Sequence, residues 1–224
     1  MPRSLKILIL DYDMTLVNNL IDFYEAYNES LKNHCSRVIS FEEFYRALLR
    51  DELDAESSRC GGDFFWRFFR RVYRTRTGYL VRGAREILVY SRAIGLRNII
   101  ATGRDCLERE IYDEIKRFDL EDLVDEVYTI ETLRRRGLRE EFLFDKRDMI
   151  RAILRDHGAS PEEAVFIGDY TTDYLSSVGV GVVFIGVAND EYAREILERR
   201  GVKCVAKDLY EALEKIFLAK KDFC

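Results

Sequence analysis

Two aspartates, Asp11 and Asp13, close the apolar run Leu5 to Leu10 in the segment Asp-Tyr-Asp-Met-Thr. Three further stretches carry side chains of compatible chemistry. Thr102 and Gly103 follow the run Asn98 to Ala101, Lys146 opens a helical pattern, and Gly168, Asp169 and Asp173 follow the run Ala164 to Ile167. Carboxylates drawn together from separate stretches repel one another unless a cation neutralises them. A ligand set of oxygens without histidine or cysteine selects Mg²⁺. A hard divalent ion with an ammonium group beside it suits phosphoryl transfer, which depends mainly on positioning and on neutralising the charge of the phosphoryl oxygens. Taken singly, each of these segments is an ordinary polar turn; four such turns in one chain are what carry weight.

The elements that must hold these residues follow from hydrophobic pattern. Short apolar, β-branched runs recur at Ile7 to Leu10, Asn98 to Ala101, Glu126 to Ile130, Ala164 to Ile167 and Val182 to Val187, separated by segments of helical periodicity. Runs of this length that are apolar throughout read as strands buried on both faces, and their alternation with helices predicts an α/β fold with a doubly wound parallel sheet. Ligands bind such sheets at the carboxyl ends of the strands, where the polar segments above begin. Ser160, Pro161 and Glu163 have the spacing of a helix start, and Ser40 with Glu43 repeats the capping-box spacing.

Residues 19–82 break the alternation: no strand is evident and several amphipathic helices are expected. The pattern therefore divides the chain into a core made of residues 1–18 and 83–224 and a small inserted helical domain of residues 19–82. Within the insertion, Phe64, Phe65, Trp66, Phe68, Phe69 and Tyr73 alternate with Arg67, Arg70, Arg71, Arg74 and Arg76. The simplest arrangement packs the aromatics inward and leaves the arginines in solvent. The alternative lets one arginine reach a substrate anion.

Composition narrows the function classes. The 224 residues are 47% hydrophobic and 34% charged, with two prolines, which describes a folded chain with little linker. A net charge of −5 argues against nucleic acid and anionic membrane as partners, since both require a positive field. The N-terminal apolar run is too short to span a bilayer and lacks a signal-cleavage pattern, so a cytoplasmic location is expected. The five cysteines lack CxxC spacing and are expected to be reduced, with a Cys35–Cys60 bridge as the lesser alternative. His34 and His157 have no partner at ligand spacing.

The set Asp11-Tyr-Asp13-Met-Thr15, Thr102 in Ala-Thr-Gly-Arg, Lys146, and Gly168-Asp169-Tyr-Thr-Thr-Asp173 resembles, in order, the four motifs of the haloacid dehalogenase-like hydrolase superfamily. The resemblance extends over nearly the whole chain and implies a Rossmann-like core. The helical insertion resembles the cap of the phosphoglycolate phosphatase and β-phosphoglucomutase branch, with hinges near Val17 to Asn19 and Tyr79 to Gly83. It implies a Mg²⁺-dependent phosphatase of a small phosphorylated metabolite, with Asp11 as nucleophile and Asp13 as general acid and base. Thr102 and Gly103 would hold phosphoryl oxygens, Lys146 would neutralise charge, and Asp11, Asp13 (through its carbonyl), Asp169 and Asp173 would hold the ion. Arg147 occupies a place where relatives often carry proline, which leaves open which of the two cations faces the site. Arg104 is expected in a surface salt bridge, with a contact to substrate as the lesser alternative. A phosphomutase and a non-catalytic phosphate-binding regulator are the alternatives, and the chain is expected to be a monomer or homodimer.

Overall fold

The β-branched runs form the centre of the molecule. The computed structural model describes residues 5–50 and 52–218. In it, β1 (Ile7–Leu10) leads into the short β2 (Val17–Asn18), followed by α1 (Leu20–Cys35), α2 (Phe41–Leu49), α3 (Leu53–Arg59), α4 (Asp63–Val72) and β3 (Tyr79–Leu80). Next come α5 (Ala84–Ala93), β4 (Arg97–Ala101), α6 (Glu108–Lys116), β5 (Glu126–Tyr128), α7 (Ile130–Arg135) and α8 (Arg147–Asp156). The chain continues through β6 (Ala164–Gly168), α9 (Thr171–Val180), β7 (Val183–Val187), α10 (Glu191–Arg199), β8 (Val205–Ala206) and α11 (Leu209–Leu218). Among the described residues no helix is long and apolar enough to cross a membrane.

Six strands make one sheet in the order β5-β4-β1-β6-β7-β8, with every pairing parallel. Successive side chains of a strand point to opposite faces, so a sheet covered on both sides needs strands that are apolar throughout. Leu8, Leu10, Ile100 and Val165 pack on one face with Ile87 of α5 and Ile111 of α6. Ile7, Ile9, Ile99 and Phe166 pack on the other with Met149 and Ile153 of α8. This is the expected α/β architecture. β1 lies between β4 and β6, and the chain winds away from it in both directions, opening a crevice at the carboxyl ends of these three strands.

Two strand expectations are corrected: β3 lies within residues 19–82, where no strand was expected, and β5 is shorter than its apolar run. β5 ends at Tyr128, not Ile130, because Thr129 caps α7 by accepting a hydrogen bond from the Thr132 amide at 3.3 Å. The two-residue β8 is too short to show in the hydrophobic pattern.

Helices α1 to α4 lie between β2 and β3, which pair antiparallel with Val17 opposite Leu80 and Asn18 opposite Tyr79. The start of α2 is fixed by the capping box: Ser40 Oγ accepts from the Glu43 amide at 3.2 Å, and the Glu43 carboxylate accepts from the Ser40 amide at 2.8 Å. The four helices share their own apolar cluster around Tyr27, Phe44, Phe65, Trp66 and Phe69. Arg67, Arg71 and Arg76 are exposed, as the inward-aromatic arrangement requires, but Arg70 is buried and, against that arrangement, Phe64 is exposed.

Among the described residues, the expectation of reduced cysteines is overturned for Cys35, Cys60 and Cys204, all of them disulfide-bonded. Cys35 and Cys60, at the ends of α1 and α3, are joined by a disulfide with their Cα atoms 5.4 Å apart. Packing of the helices in the insertion brings these ends side by side, which cysteine spacing alone cannot show. Cys106 is a free, buried thiol.

Candidate active site

The loop after β1 carries both leading aspartates and is folded back on itself. The Leu16 and Val17 amides both donate to the Tyr12 carbonyl at 3.0 Å, and the Met14 amide donates to the Val17 carbonyl at 2.8 Å. Met14 takes a left-handed φ of 62° to make this turn, a conformation that costs a non-glycine residue energy and is kept where the surroundings enforce it. Asp11 is tied to the neighbouring strand through its amide, which donates to the Ile167 carbonyl at 2.9 Å. The turn thus fixes Asp11 directly over the sheet edge and Asp13 to one side.

Lys146 Nζ lies 2.6 Å from Asp11 Oδ1 and 2.7 Å from Asp173 Oδ1, with the lysine side chain almost wholly buried. Its backbone is fixed as well, since the Lys146 amide donates to Ser176 Oγ at 2.8 Å. Arg147 points elsewhere, to Asp145 and Glu141, so Lys146 is the cation that reaches Asp11. Asp169 Oδ1 accepts from Thr15 Oγ1 at 2.7 Å, linking the loop after β6 to the loop after β1. Gly168 has no room for a side chain: a Cβ there would stand 2.6 Å from Asp173 Oδ2. Its absence lets Asp173, in the first turn of α9, swing back over the end of β6.

One oxygen each from Asp11, Asp169 and Asp173 can be chosen so that all lie within 4.8 Å of one another. Burial pushes the Asp11 carboxyl well above its ordinary range; Lys146 opposes that shift, while Asp173, Asp169 and Asp13 add to it. Asp169 is pushed up to about 7, again by burial first and by Asp173 next. Burial alone would lower the Lys146 ammonium, but Asp11 and Asp173 outweigh it and keep the group charged. Three carboxylates against one ammonium leave two negative charges when all ionise, which one divalent cation would neutralise. Oxygen-only donors at this spacing fit a hard ion of the Mg²⁺ kind.

Asp13 is held apart from that trio. Both of its oxygens accept from Arg104 Nε, at 3.1 and 2.9 Å, Oδ1 also accepts from another Arg104 nitrogen, and Asn19 Nδ2 donates to Oδ1 at 2.7 Å. Thr102 Oγ1, at the end of β4, lies 3.5 Å from Asp13 Oδ2. Gly103 borders the same cavity, and a Cβ there would meet the Phe144 ring at 3.0 Å. The structure therefore brings Asp11, Asp13, Thr102, Gly103, Lys146, Asp169 and Asp173 to one crevice, with the Asp13 carboxylate turned toward Arg104.

The expectation for Arg104 is corrected. It is 1% exposed, not on the surface, and a second nitrogen donates to Glu114 Oε1 at 2.7 Å and Oε2 at 2.9 Å. A third contact runs to Thr75 Oγ1 at 2.8 Å, and the guanidinium lies 4.4 Å from the Tyr73 ring centroid. Asn19 joins the same network through Thr75 and Tyr73, at 2.9 and 2.8 Å. Arginine is almost never fully buried unless paired. The available signal was Glu114, an acid beside Ile111 and Ile115 on the apolar face of α6.

Residues 8–187 match the model of the haloacid dehalogenase-like hydrolase family. No curated protein matches the chain. Solved structures match along nearly its whole length. A "predicted phosphatase" from Clostridium acetobutylicum superposes with a TM-score of 0.71 at 16% identity, covering 96% of this chain and 100% of that one. A "predicted phosphoglycolate phosphatase" from Haemophilus somnus gives 0.67 at 17% identity, covering 94% and 97%. A protein from Bacteroides vulgatus assigned as a β-phosphoglucomutase gives 0.70 at 15% identity, covering 98% and 91%. At these identities the likeness is one of fold. The family match spans the three strand-end loops and the start of α8 that meet at the acidic centre, and the chain belongs to the haloacid dehalogenase-like hydrolase family.

Proposed function

We propose that the chain is a phosphohydrolase that removes a phosphoryl group from a small molecule through a phosphoaspartate formed on Asp11. The observation that carries this reading is the contact of buried Lys146 with both Asp11 and Asp173, at 2.6 and 2.7 Å, beside Asp169. An aspartate at a positively compensated point on the sheet edge can approach an anionic phosphoryl group; a bare one would be repelled. Asp11, Asp169 and Asp173 are the side chains that would hold Mg²⁺, which when bound supplies positive charge against the phosphoryl oxygens.

In the first step an Asp11 carboxylate oxygen attacks phosphorus, the bond from phosphorus to the ester oxygen breaks, and Asp13 gives its proton to the departing oxygen. In the second step Asp13 takes a proton from a water that attacks the phosphoaspartate, releasing inorganic phosphate and restoring Asp11. Thr102 and the Gly103 amide would hold phosphoryl oxygens, and Lys146 would balance the charge on Asp11. Asp13 must be neutral to donate a proton, so its pair with Arg104 must loosen before the first step. Donation leaves the carboxylate, which can pair with Arg104 again until it takes a proton from water in the second step. Residues 19–82 would act as a cap that closes over the crevice and excludes bulk water.

The test is phosphate release from a panel of monoesters by the wild type and by Asp11→Asn, with and without Mg²⁺. Loss of turnover in the folded variant is expected. Turnover near that of the wild type would refute Asp11 as nucleophile.

A further inference from the structure

The cavity above the acidic centre, of about 620 Å³, is of a size that encloses a small ligand. Its walls are unlike its floor. Leu49, Leu53, Trp66 and Phe69 from the helical insertion line it together with Leu143 and Phe144, which pack against the same apolar cluster, Trp66 meeting Phe144 at 5.6 Å between ring centroids. Among the described residues, three cations border it: Lys146, Arg104 and Arg70. Each is already committed. Lys146 holds Asp11 and Asp173, and Arg104 holds Asp13 and Glu114.

Arg70, the one arginine of α4 that turns inward, makes a two-point pair with Glu140, at 2.6 and 2.9 Å, and its guanidinium lies 4.0 Å from the Phe144 ring centroid. Its Nε has no acceptor but is closed to solvent. Three acids, Asp54, Asp63 and Asp190, also border the cavity.

We propose, resting on the phosphohydrolase reading above, that the substrate is a monophosphate ester of an uncharged, largely apolar alcohol, with no second anionic group. A carboxylate or second phosphate on the leaving group would lose its hydration among leucines and aromatic rings with no free cation to receive it. It would also face acids on the same walls. An alkyl or aryl leaving group instead gains from each methylene taken out of water. The same reasoning disfavours the bisphosphate that a phosphomutase cycle requires.

The test uses the Mg²⁺-loaded wild-type protein and primary n-alkyl phosphates from ethyl to octyl, whose leaving groups have nearly equal basicity, so that chain length changes binding and not the chemistry. Phosphoglycolate, glycerol phosphate and a sugar phosphate serve as polar comparators. The expected result is that kcat/KM rises about fourfold for each added methylene until the cavity is filled, the factor that corresponds to about 0.8 kcal/mol per buried CH₂. Octyl phosphate should then exceed phosphoglycolate by at least about a hundredfold. A flat or falling series, or preference for phosphoglycolate or the sugar phosphate, overturns the proposal while leaving the phosphohydrolase reading in place. Failure to release phosphate from every ester overturns that reading and this one with it.

Discussion

Arg104 grips Asp13, with Nε at 3.1 and 2.9 Å from the two oxygens of Asp13 and another nitrogen 2.7 Å from Glu114. One guanidinium thus ties the side chain assigned as general acid and base to a core helix. Through Thr75 it also reaches the segment that follows α4. Its planar fork serves three acceptors at once, which a lysine ammonium on a flexible stem would not reproduce.

Removing this guanidinium should damage the fold before it damages chemistry. Arg104→Met leaves Glu114 buried without a cation, and breaking a buried pair from one side costs about 3–5 kcal/mol. Urea unfolding should show that loss, and Arg104→Met combined with Glu114→Gln should recover part of it. An unchanged midpoint in the single variant would contradict the buried network.

A methyl group at position 168 should act through Asp173. In Gly168→Ala the new Cβ would sit 2.6 Å from Asp173 Oδ2 and 2.8 Å from its Cβ, so Asp173 must move away from Lys146. Loss of an outer-shell partner alone typically costs about 10–100-fold in metal affinity or activity, and displacing Asp173, a proposed ligand, should cost at least that. Isothermal titration with Mg²⁺ and phosphate-release assays should both register it. Wild-type values in both would show that Asp173 tolerates the shift.

The core and the loops of the candidate site were legible in the sequence because they rest on local signals. Ile7 to Leu10 and Ala164 to Ile167 are buried on both faces, so their composition marks them, and Asp11, Thr102 and Asp169 each follow such a run. What could not be read depends on approach of distant segments. Arg104 looked exposed because its partners stand elsewhere, Asp13 being 91 residues away in the chain. Cys35 and Cys60 pair because α1 and α3 end together, and the inward turn of Arg70 depends on Glu140, 70 residues on.

The disulfide should be a measurable part of the stability of the helical insertion. Bridging residues 25 apart restricts the unfolded chain by about 3.5 kcal/mol in the loop-entropy description. Cys35→Ser with Cys60→Ser, or a reducing agent, should lower the urea midpoint accordingly. No difference between oxidised and reduced protein would mean that the bridge is absent or energetically silent in solution.

Divalent ions should stabilise the fold through the three-carboxylate cluster. At a Mg²⁺ concentration about a hundred times its dissociation constant, the expected gain is about 2.7 kcal/mol. Thermal unfolding should shift upward in the wild type and much less in Asp169→Asn. An equal shift in both would place the binding elsewhere.

The most direct measurement is of the covalent intermediate itself. Asp13→Asn should still permit attack by Asp11 on an activated ester with a good leaving group, yet lack the base that directs water onto the product. Acid quenching within one turnover, followed by peptide mass analysis, should then find one phosphoryl group on the peptide that contains Asp11. Release of phosphate with that peptide unmodified at every time sampled would contradict the account.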